Sequence, residues 1–437
     1  MRYLFFILSC ISCCLFSIGF VSAQPLLTVQ QLEQTNFTTH KGGTISPQAL
    51  YVDADVFESV FNLGAVVLRK GNSYALMNAS GEFLVPYNKY KTLSSTGVFN
   101  INNELIHNGW FNYSTPDGFG FVDASGKVVI HDPYAAFQLS ADKRHLVSLT
   151  QKPYSIIAMD GKKYQPGFYP NAIGEGFFFS NEPAGSKAAY RKLNGSILVQ
   201  DQFNSPGHPF KDKLALVQKR NEFNELKYGF VDATGKLAIP FMYSNMPSYF
   251  QNGRARVQPT NTADFVSAII NKQGAVLLKQ TKQTIQQMGE FKFFANGLSV
   301  SNNATAIMDT SMATISMQQL LQKAGITQPV SFHAIDLTWR EEKHPILIYS
   351  YAGRAGLNSI NPNARNYGYI LLRDGIVVPP VFHMDGSKNL MEFDPVSGLA
   401  RAKMITGKAQ NGQPMLMDGF IDLKGTFTVL LKEKSAW

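Results

Sequence analysis

The segment Phe119-Gly-Phe-Val-Asp-Ala-Ser-Gly-Lys-Val-Val-Ile130 returns almost letter for letter as Tyr228-Gly-Phe-Val-Asp-Ala-Thr-Gly-Lys-Leu-Ala-Ile239. A short unit that recurs in this way cannot bury its apolar face alone and must stack on copies of itself. Weaker copies bring the count to nine units, with turn positions at Gly81, Gly126, Gly161, Gly195, Gly235, Gly274, Met312, Gly375 and Gly425. The period is about forty residues, which belongs to the range of stacked repeat architectures. One interval, from Met312 to Gly375, stretches to 63 residues.

In each unit a run of strand-forming residues enters a turn and a second apolar run leaves it, which predicts a β-hairpin. Six units carry Asp or Asn three residues before the turn position: Asn78, Asp123, Asp232, Asn271, Asp309 and Asp422. A side-chain oxygen there is placed to accept hydrogen bonds from its own turn backbone, while the Gly takes positive φ. Asp123, Gly126, Asp232, Gly235, Asp422 and Gly425 are therefore read as structural turn residues. The remaining units use Asp160-Gly161, Asn194-Gly195 and Asp374-Gly375, dipeptides that favour a two-residue hairpin. Met312 breaks the rule, so its turn is expected to be built differently or strained. The recurring Phe and Tyr at the strand starts are assigned to the core rather than to stacking platforms.

Ahead of several hairpins lies a further strand signature, as in Phe61-Asn-Leu-Gly-Ala-Val-Val67, Phe250-Gln-Asn-Gly-Arg-Ala-Arg-Val257 and Phe294-Ala-Asn-Gly-Leu-Ser-Val300. The order Phe-x-x-Gly-x-Ala-x-Val, then aromatic-Gly-aromatic-Val-Asp-x-x-Gly-Lys-x-x-Ile-Pro, resembles the bacterial WG-repeat (KWG) proteins. The resemblance runs from about Phe61 to Leu431. The naming Trp-Gly is replaced by Phe119-Gly120, Tyr228-Gly229 and Tyr367-Gly368, so these are divergent copies. The family implies exported, β-rich repeats without shared catalytic residues, and it implies no particular substrate.

Residues 1–23 read as a signal peptide: Arg2 supplies the positive start, Tyr3 to Phe20 the apolar stretch and Val21-Ser22-Ala23 a small-residue cleavage site. The alternative is a retained anchor. All three cysteines, Cys10, Cys13 and Cys14, fall in this segment, so the mature chain from Gln24 has no disulfide, thiolate metal site or cysteine nucleophile. No later stretch approaches the ~18 uninterrupted apolar residues of a spanning helix, so no transmembrane span is expected after cleavage. The expected address is the periplasm, with the outer surface or the medium as further options. Loss of Arg2 lowers the formal charge by one from +9, which suits anionic surroundings such as lipid headgroups or wall polymers.

Residues 24–60 form a polar leader or cap, in which Val29 to Gln34 suits a short helix, an edge strand or a linker. Residues 61–437 are the repeat array, with an insertion at 316–366. Ser316-Met-Gln-Gln319 has capping-box spacing, Met317, Leu320, Leu321 and Ala324 share one helical face, and Gly325 suits a helix end, so one short helix is expected there.

The eight histidines show no pair at metal-ligand spacing, and no nucleotide, nucleophile-elbow, zinc-protease or EF-hand motif is present. No catalytic residue, metal or cofactor is therefore assigned. The irregular stretch from Trp339 to Arg365 is the candidate binding surface, with Trp339, Arg340, Lys343, His344, Arg354 and Arg365 offering a basic, aromatic-tipped loop to an anionic or glycan partner. Without a basic stripe interleaved with aromatics, nucleic acid is not an expected partner.

The fold class expected is all-β: tandem three-stranded repeats in an open or propeller-like array with one inserted helix. Nine units exceed the usual ~4–8 blades of one ring, which leans toward an open or two-part arrangement. For function, a non-catalytic binding or scaffold protein of the bacterial envelope leads, with an unidentified envelope protein or anionic polymer as partner. A glycan or wall-polymer hydrolase with loop-borne carboxylates is the alternative, and an exported effector is a third.

Overall fold

A computed structural model describes residues 25–432, apart from 97, 100–104, 107, 133–136, 141–143, 149–153, 159, 181–187, 201–202, 204–206, 259–264, 334–342, 354–364, 384–390, 410–411 and 413. Among the described residues nine successive antiparallel units appear. Unit 1 comprises Val56–Phe57, Ala65–Lys70, Ser73–Asn78 and Phe83–Val85. Unit 2 comprises Thr92–Ser95, Trp110–Thr115, Gly118–Asp123 and Val128–Asp132, unit 3 Phe137–Leu139, His145–Ser148, Ile156–Ala158 and Lys163–Tyr164, and unit 4 Asn171–Gly174, Phe177–Ser180, Ala189–Lys192 and Ile197–Gln200. Unit 5 comprises Leu214–Arg220, Leu226–Asp232 and Leu237–Tyr243, and unit 6 comprises Ala255–Val257, Ser267–Ile270 and Val276–Gln280. Unit 7 comprises Leu298–Val300, Ala306–Asp309 and Thr314–Ser316, and unit 8 Val330–His333, Ile346–Tyr351, Asn366–Leu371 and Ile376–His383. Unit 9 comprises Ala400–Lys408, Pro414–Ile421 and Phe427–Leu431. Units 8 and 9 also touch strand to strand, at His383 and Lys403, so that they merge into one larger sheet.

The central strands are buried on both faces, and alternation along each strand sends odd and even residues to opposite neighbours. In unit 1, Ala65, Val67 and Leu76 pack against Phe111, Tyr113 and Val122 of unit 2. Val66, Leu68, Ala75 and Met77 face the other way, onto Leu399, Phe420 and Val429 at the end of the chain. In unit 5, Leu216 and Phe230 face unit 6, whereas Ala215, Val217 and Val231 face unit 4. Every junction between consecutive units has such a cluster. The cluster between units 9 and 1 closes the ring, with Phe420 edge-on to Phe57 and Phe61 at 4.8 and 4.6 Å between ring centres. Of the arrangements left open by the sequence, the packing realises the propeller-like ring, against the lean that the unit count gave.

The leader is woven into that closure. Its helix α1, Val29–Gln34, begins on a Thr28 capping box and buries Val29 and Leu32 between units 7 and 8. Thr38–Thr39 then adds in parallel to the last strand of unit 8, and Ile45–Val52 adds in parallel to the last strand of unit 9. Val56–Phe57, ahead of the Phe61 boundary, already belongs to unit 1.

The recurring hairpin is a three-residue loop with a bulge. Gly126 and Gly235 donate their amides to the carbonyls of Asp123 and Asp232, and both glycines have positive φ. Asp123 Oδ1 accepts the amides of Ser125 and Lys127 at 2.9 and 3.1 Å, Asp232 Oδ1 those of Thr234 and Lys236 at 2.8 and 3.0 Å, and Asp422 Oδ1 those of Lys424 and Thr426 at 2.9 and 3.0 Å. Asn78, Asn271 and Asp309 do the same. Burial raises the Asp232 carboxyl, but the Thr234 hydroxyl and the turn amides outweigh it and hold the group below its ordinary range.

The turns at Asp160-Gly161 and Asn194-Gly195 are not the expected two-residue hairpins. Gly161 donates to Ala158 and Gly195 to Lys192, so both form the same three-residue loop as their siblings. At Asp374-Gly375 the loop is longer, with the Gly375 amide on the Leu371 carbonyl. Met312 keeps the standard turn at φ 72°, so strain is the outcome there. A second helix, α2, spans Lys282–Met288. In the insertion, α3 spans Met317–Lys323 from a Ser316–Gln319 capping box, with Met317, Leu320 and Ala324 buried and Gly325 at φ 69°.

Three outcomes follow from these contacts. A Cβ on Gly235 would come within 2.7 Å of the Leu198 carbonyl oxygen in unit 4, whereas one on Gly161 meets nothing within 4 Å. Gly161→Ala should therefore cost only the left-handed penalty of about 1–2 kcal/mol, and Gly235→Ala distinctly more, by urea denaturation. Phe420→Ala should cost about 3–5 kcal/mol and render the Val52–Phe61 segment the first site of limited proteolysis. Asp232→Ala should lose about 1 kcal/mol while Asp232→Asn, as at Asn78 and Asn271, keeps both turn bonds. Since its folded pKa is depressed, the Asp232 contribution is complete above its unfolded pKa and disappears as pH falls through the folded one. The Asn variant should lack that part of the acid-induced loss.

Candidate functional site

The Phe-x-Asn-Gly signature is only half strand. Leu63-Gly64, Glu175-Gly176, Asp212-Lys213, Asn252-Gly253 and Asn296-Gly297 all have positive φ at both residues, the geometry of a tight type I′ turn. The Asn-Gly dipeptides at 252 and 296 were the sequence signal for it.

These turns carry lateral bonds around the ring. The Asn62 amide oxygen accepts the Gly109 N–H at 2.8 Å, and the Glu175 carboxylate accepts the Asp212 and Lys213 amides at 2.8 and 2.6 Å. Asp212 accepts the Gly253 amide, Asn252 the Gly297 amide at 2.7 Å, and Asp394 the Gly64 amide at 3.0 Å. In every case the acceptor side chain belongs to one unit and the donor amide to the next, and the last bond runs from unit 9 to unit 1. Carboxylate acceptors make such bonds stronger than neutral ones. Between units 7 and 8 the leader intervenes, with the Leu27 amide on the Asn296 carbonyl at 2.7 Å.

The basic loop assigned from sequence is only partly gathered. Trp339, Arg340 and Arg354 lie outside the described residues. Lys343 Nζ is 3.4 Å from the Pro395 carbonyl, a long contact. His344 is buried, with Nδ1 at 3.1 and 3.0 Å from the two Asp374 carboxylate oxygens, which ties the insertion to the unit 8 hairpin loop. Arg365 is half-buried and borders the strand Asn366–Leu371. The stretch is also less irregular than its sequence suggested, because Ile346–Tyr351 within it is a buried strand of unit 8.

Two further polar clusters inside the ring are paired structurally. Arg256 Nε and Nη2 reach Glu290 Oε1 at 2.7 and 2.5 Å, and the Ser267 hydroxyl donates to the same oxygen at 2.9 Å. Burial pushes the Glu290 carboxyl up, but these bonds and the nearby Lys292 charge outweigh it, so the group sits below its usual range. Burial lowers the His208 imidazole, whose Nδ1 lies 2.9 Å from the Tyr249 hydroxyl. Among the described residues, no three His, Cys, Asp or Glu side chains are grouped closely enough to hold a metal ion. No helix there is long and apolar enough to cross a membrane.

The strand-start aromatics are not uniformly core. Tyr190 is fully buried, Tyr228 and Tyr367 are half-buried, and Phe119 is 65% exposed. A further pattern escaped the sequence reading. Two residues past the turn glycine, Phe83, Val128, Ile197, Leu237 and Val276 are each between 41% and 50% exposed, on the edge strands of units 1, 2, 4, 5 and 6. Phe427 holds the same place in unit 9 and is fully covered.

Comparison with known proteins adds the following. No curated protein sequence matches the chain. Among solved structures, a eukaryotic initiation factor is similar at 11% identity, over 75% of this chain and 88% of that one, with a TM-score of 0.37. A protein of unknown function from Bacteroides caccae aligns at 12% identity over 52% and 95%, TM-score 0.21, and BamB from Moraxella catarrhalis at 11% over 57% and 78%, TM-score 0.23. Likenesses this low leave the fold to rest on the sheet order above. The family model for the WG containing repeat matches residues 228–259.

That match spans a hairpin strand, its turn and the type I′ turn of the next unit. The geometry accounts for the glycine of the motif where it is kept and for the divergent aromatic before it. A Cβ on Gly120, Gly229 or Gly368 would lie 2.4, 2.6 or 2.3 Å from the carbonyl oxygen of Ile130, Ile239 or Val378 across the hairpin, so only glycine fits. The aromatic before it is exposed or half-buried at Phe119, Tyr228 and Tyr367, where Phe or Tyr serves as well as Trp. The segment 228–259 thus matches the WG containing repeat, and Phe119-Gly120 and Tyr367-Gly368 stand in like places in copies where other aromatics replace the Trp.

Proposed function

We propose that this protein is a non-catalytic binding or scaffold protein of the bacterial envelope, exported by residues 1–23 and presenting ring surfaces to a protein or an anionic polymer. One observation carries the reading: the polar residues that recur are committed to holding the ring. Asp123, Asp232 and Asp422 are spent on their own turns, and Glu175, Asp212 and Asp394 on bonds to the next unit. What differs from unit to unit is the exposed surface, where a repeat scaffold places its contacts. The net positive charge supports an anionic partner.

The test is affinity capture from envelope extract with the mature chain, Gln24 to Trp437, beside a variant with Arg340, Arg354 and Arg365 changed to Ala. The expected result is a saturable partner retained by the mature chain. Loss in the triple variant assigns the surface to the insertion, and equal retention assigns it to the repeat faces. If the mature chain retains no protein or polymer and instead hydrolyses a wall glycan, the proposal is overturned.

A further inference from the structure

Extended segments of this chain already occupy the open edges of two of its nine units. On unit 9, the Gly43 amide donates to the Gly425 carbonyl and the Phe427 amide to the Thr44 carbonyl, both at 2.8 Å, and the Lys432 amide donates to the Val52 carbonyl at 2.9 Å. On unit 8, the Thr38 amide donates to the Gly375 carbonyl at 2.7 Å and the His40 amide to the Val377 carbonyl at 2.8 Å. The mode is shared: a leader amide takes the carbonyl of the turn glycine, and the segment continues in parallel along the last strand.

Unit 6 repeats the edge of unit 9 residue for residue. Ile270 pairs with Val276, Ile269 with Leu278 and Ala268 with Lys279, as Ile421 pairs with Phe427, Phe420 with Val429 and Gly419 with Leu430, with the bulge at the same step. The two turns close alike, Gly274 onto Asn271 and Gly425 onto Asp422, both at 2.9 Å. The groups of unit 6 that correspond to the bonded pair on unit 9 are the Gly274 carbonyl and the Val276 amide. Among the described residues no strand lies beside them. Val276 and Leu277 are 48% and 38% exposed, whereas Phe427 is buried in the cluster between units 8 and 9, edge-on to Phe382.

The other open edges are poorer: those of units 1 and 4 are shorter, at Phe83–Val85 and Ile197–Gln200, and that of unit 2, Val128–Asp132, is as long but exposes only its first apolar side chain. The last strand of unit 5 contains Pro240, that of unit 3 is the two residues Lys163–Tyr164, and that of unit 7 is the polar Thr314–Ser316. Proline, brevity and polarity are the ways in which sheet edges are kept from pairing. The Val276–Gln280 edge has no proline, is five residues long and begins with two exposed apolar side chains.

We propose that this edge is a docking site for an extended segment of a partner polypeptide, which adds in parallel as the leader does on unit 9. The occupant would donate a backbone amide to the Gly274 carbonyl, accept the Val276 amide and set an apolar side chain against Val276, the arrangement of β-strand addition. This rests on the scaffold reading above and narrows its partner to a polypeptide.

The test uses the folded mature chain and a fluorescent synthetic peptide of its own residues 41–53, read by anisotropy. The expected result is saturable binding that weakens at least tenfold in Val276→Lys/Leu277→Lys and is unchanged in Val128→Lys, a similar apolar loss on another unit. N-methylation of the peptide at Gly43 removes one backbone donor and leaves every side chain, and should weaken binding about fivefold, as the loss of one net hydrogen bond of about 1 kcal/mol requires. Absence of binding, or binding unaffected by the double Lys change because the peptide exchanges with the leader on unit 9, overturns the proposal. So does sedimentation showing a dimer that the double change dissociates, since a second copy would then hold the edge. If the capture experiment retains only a polymer and the peptide does not bind, this inference falls while the scaffold reading stands.

Discussion

Each sheet in this protein is apolar on both faces, and each face has its counterpart only on the neighbouring unit. A single unit in water would expose half of two cores. Ala65 and Val67 point to unit 2 while Val66 and Leu68 point to unit 9, a consequence of strand alternation. An open array would end with the Val66 face and the Phe420 face both in water. Burial is worth roughly 1.5–3 kcal/mol for a large apolar side chain, so bringing Phe57, Phe61 and Phe420 together provides the drive for closure. No cysteine follows Cys14 in the sequence, so no disulfide within the units shares that task.

Among the described residues, lateral bonds at the inner turns add to this packing at five of the nine junctions. Each bond joins a side-chain oxygen of one unit to a backbone amide of the next, so the turns are held at hydrogen-bonding distance. A second restraint acts at the hairpins: Gly126 and Gly235 approach the Leu84 and Leu198 carbonyls of the preceding units so closely that a Cβ would clash. The glycine there meets two demands at once, a left-handed backbone and close approach to a neighbour. At Gly161 only the first demand applies.

Local features were legible in the sequence, and those that depend on distant residues were not. The Asx turns at Asp123, Asp232 and Asp422 and the Ser316 capping box each involve residues within four positions, and spacing revealed them, while at Val29–Gln34 the sequence left helix, strand and linker open. Closure depends on Phe57 meeting Phe420, more than three hundred residues away, and no periodicity encodes whether the last unit reaches the first. The hairpins at Asp160-Gly161 and Asn194-Gly195 were misjudged because a glycine in the left-handed region serves a two-residue turn and a three-residue loop equally; the register decides, and it is set by the flanking strands. Of the basic loop, His344 lies close to Asp374, thirty positions on, and points inward. In sequence it was indistinguishable from the basic residues around it.

The leader joins these levels. It comes first in the chain, yet its strands rest on Ile376–His383 and Phe427–Leu431, which come last. Its two strands therefore have no partner until the final two units exist, and contacts of such separation carry the largest loop-closure cost and form late. Until then the Phe427 edge is as open as the Val276 edge is in the finished ring. The same backbone groups, the turn-glycine carbonyl and the amide two residues on, are thus open edges at one stage and the seam of the ring at another. What separates the two cases is whether the chain supplies its own strand. For units 8 and 9 it does, and Phe427 is buried. For unit 6 the described chain supplies none, and Val276 and Leu277 stand in water in the register that elsewhere receives one.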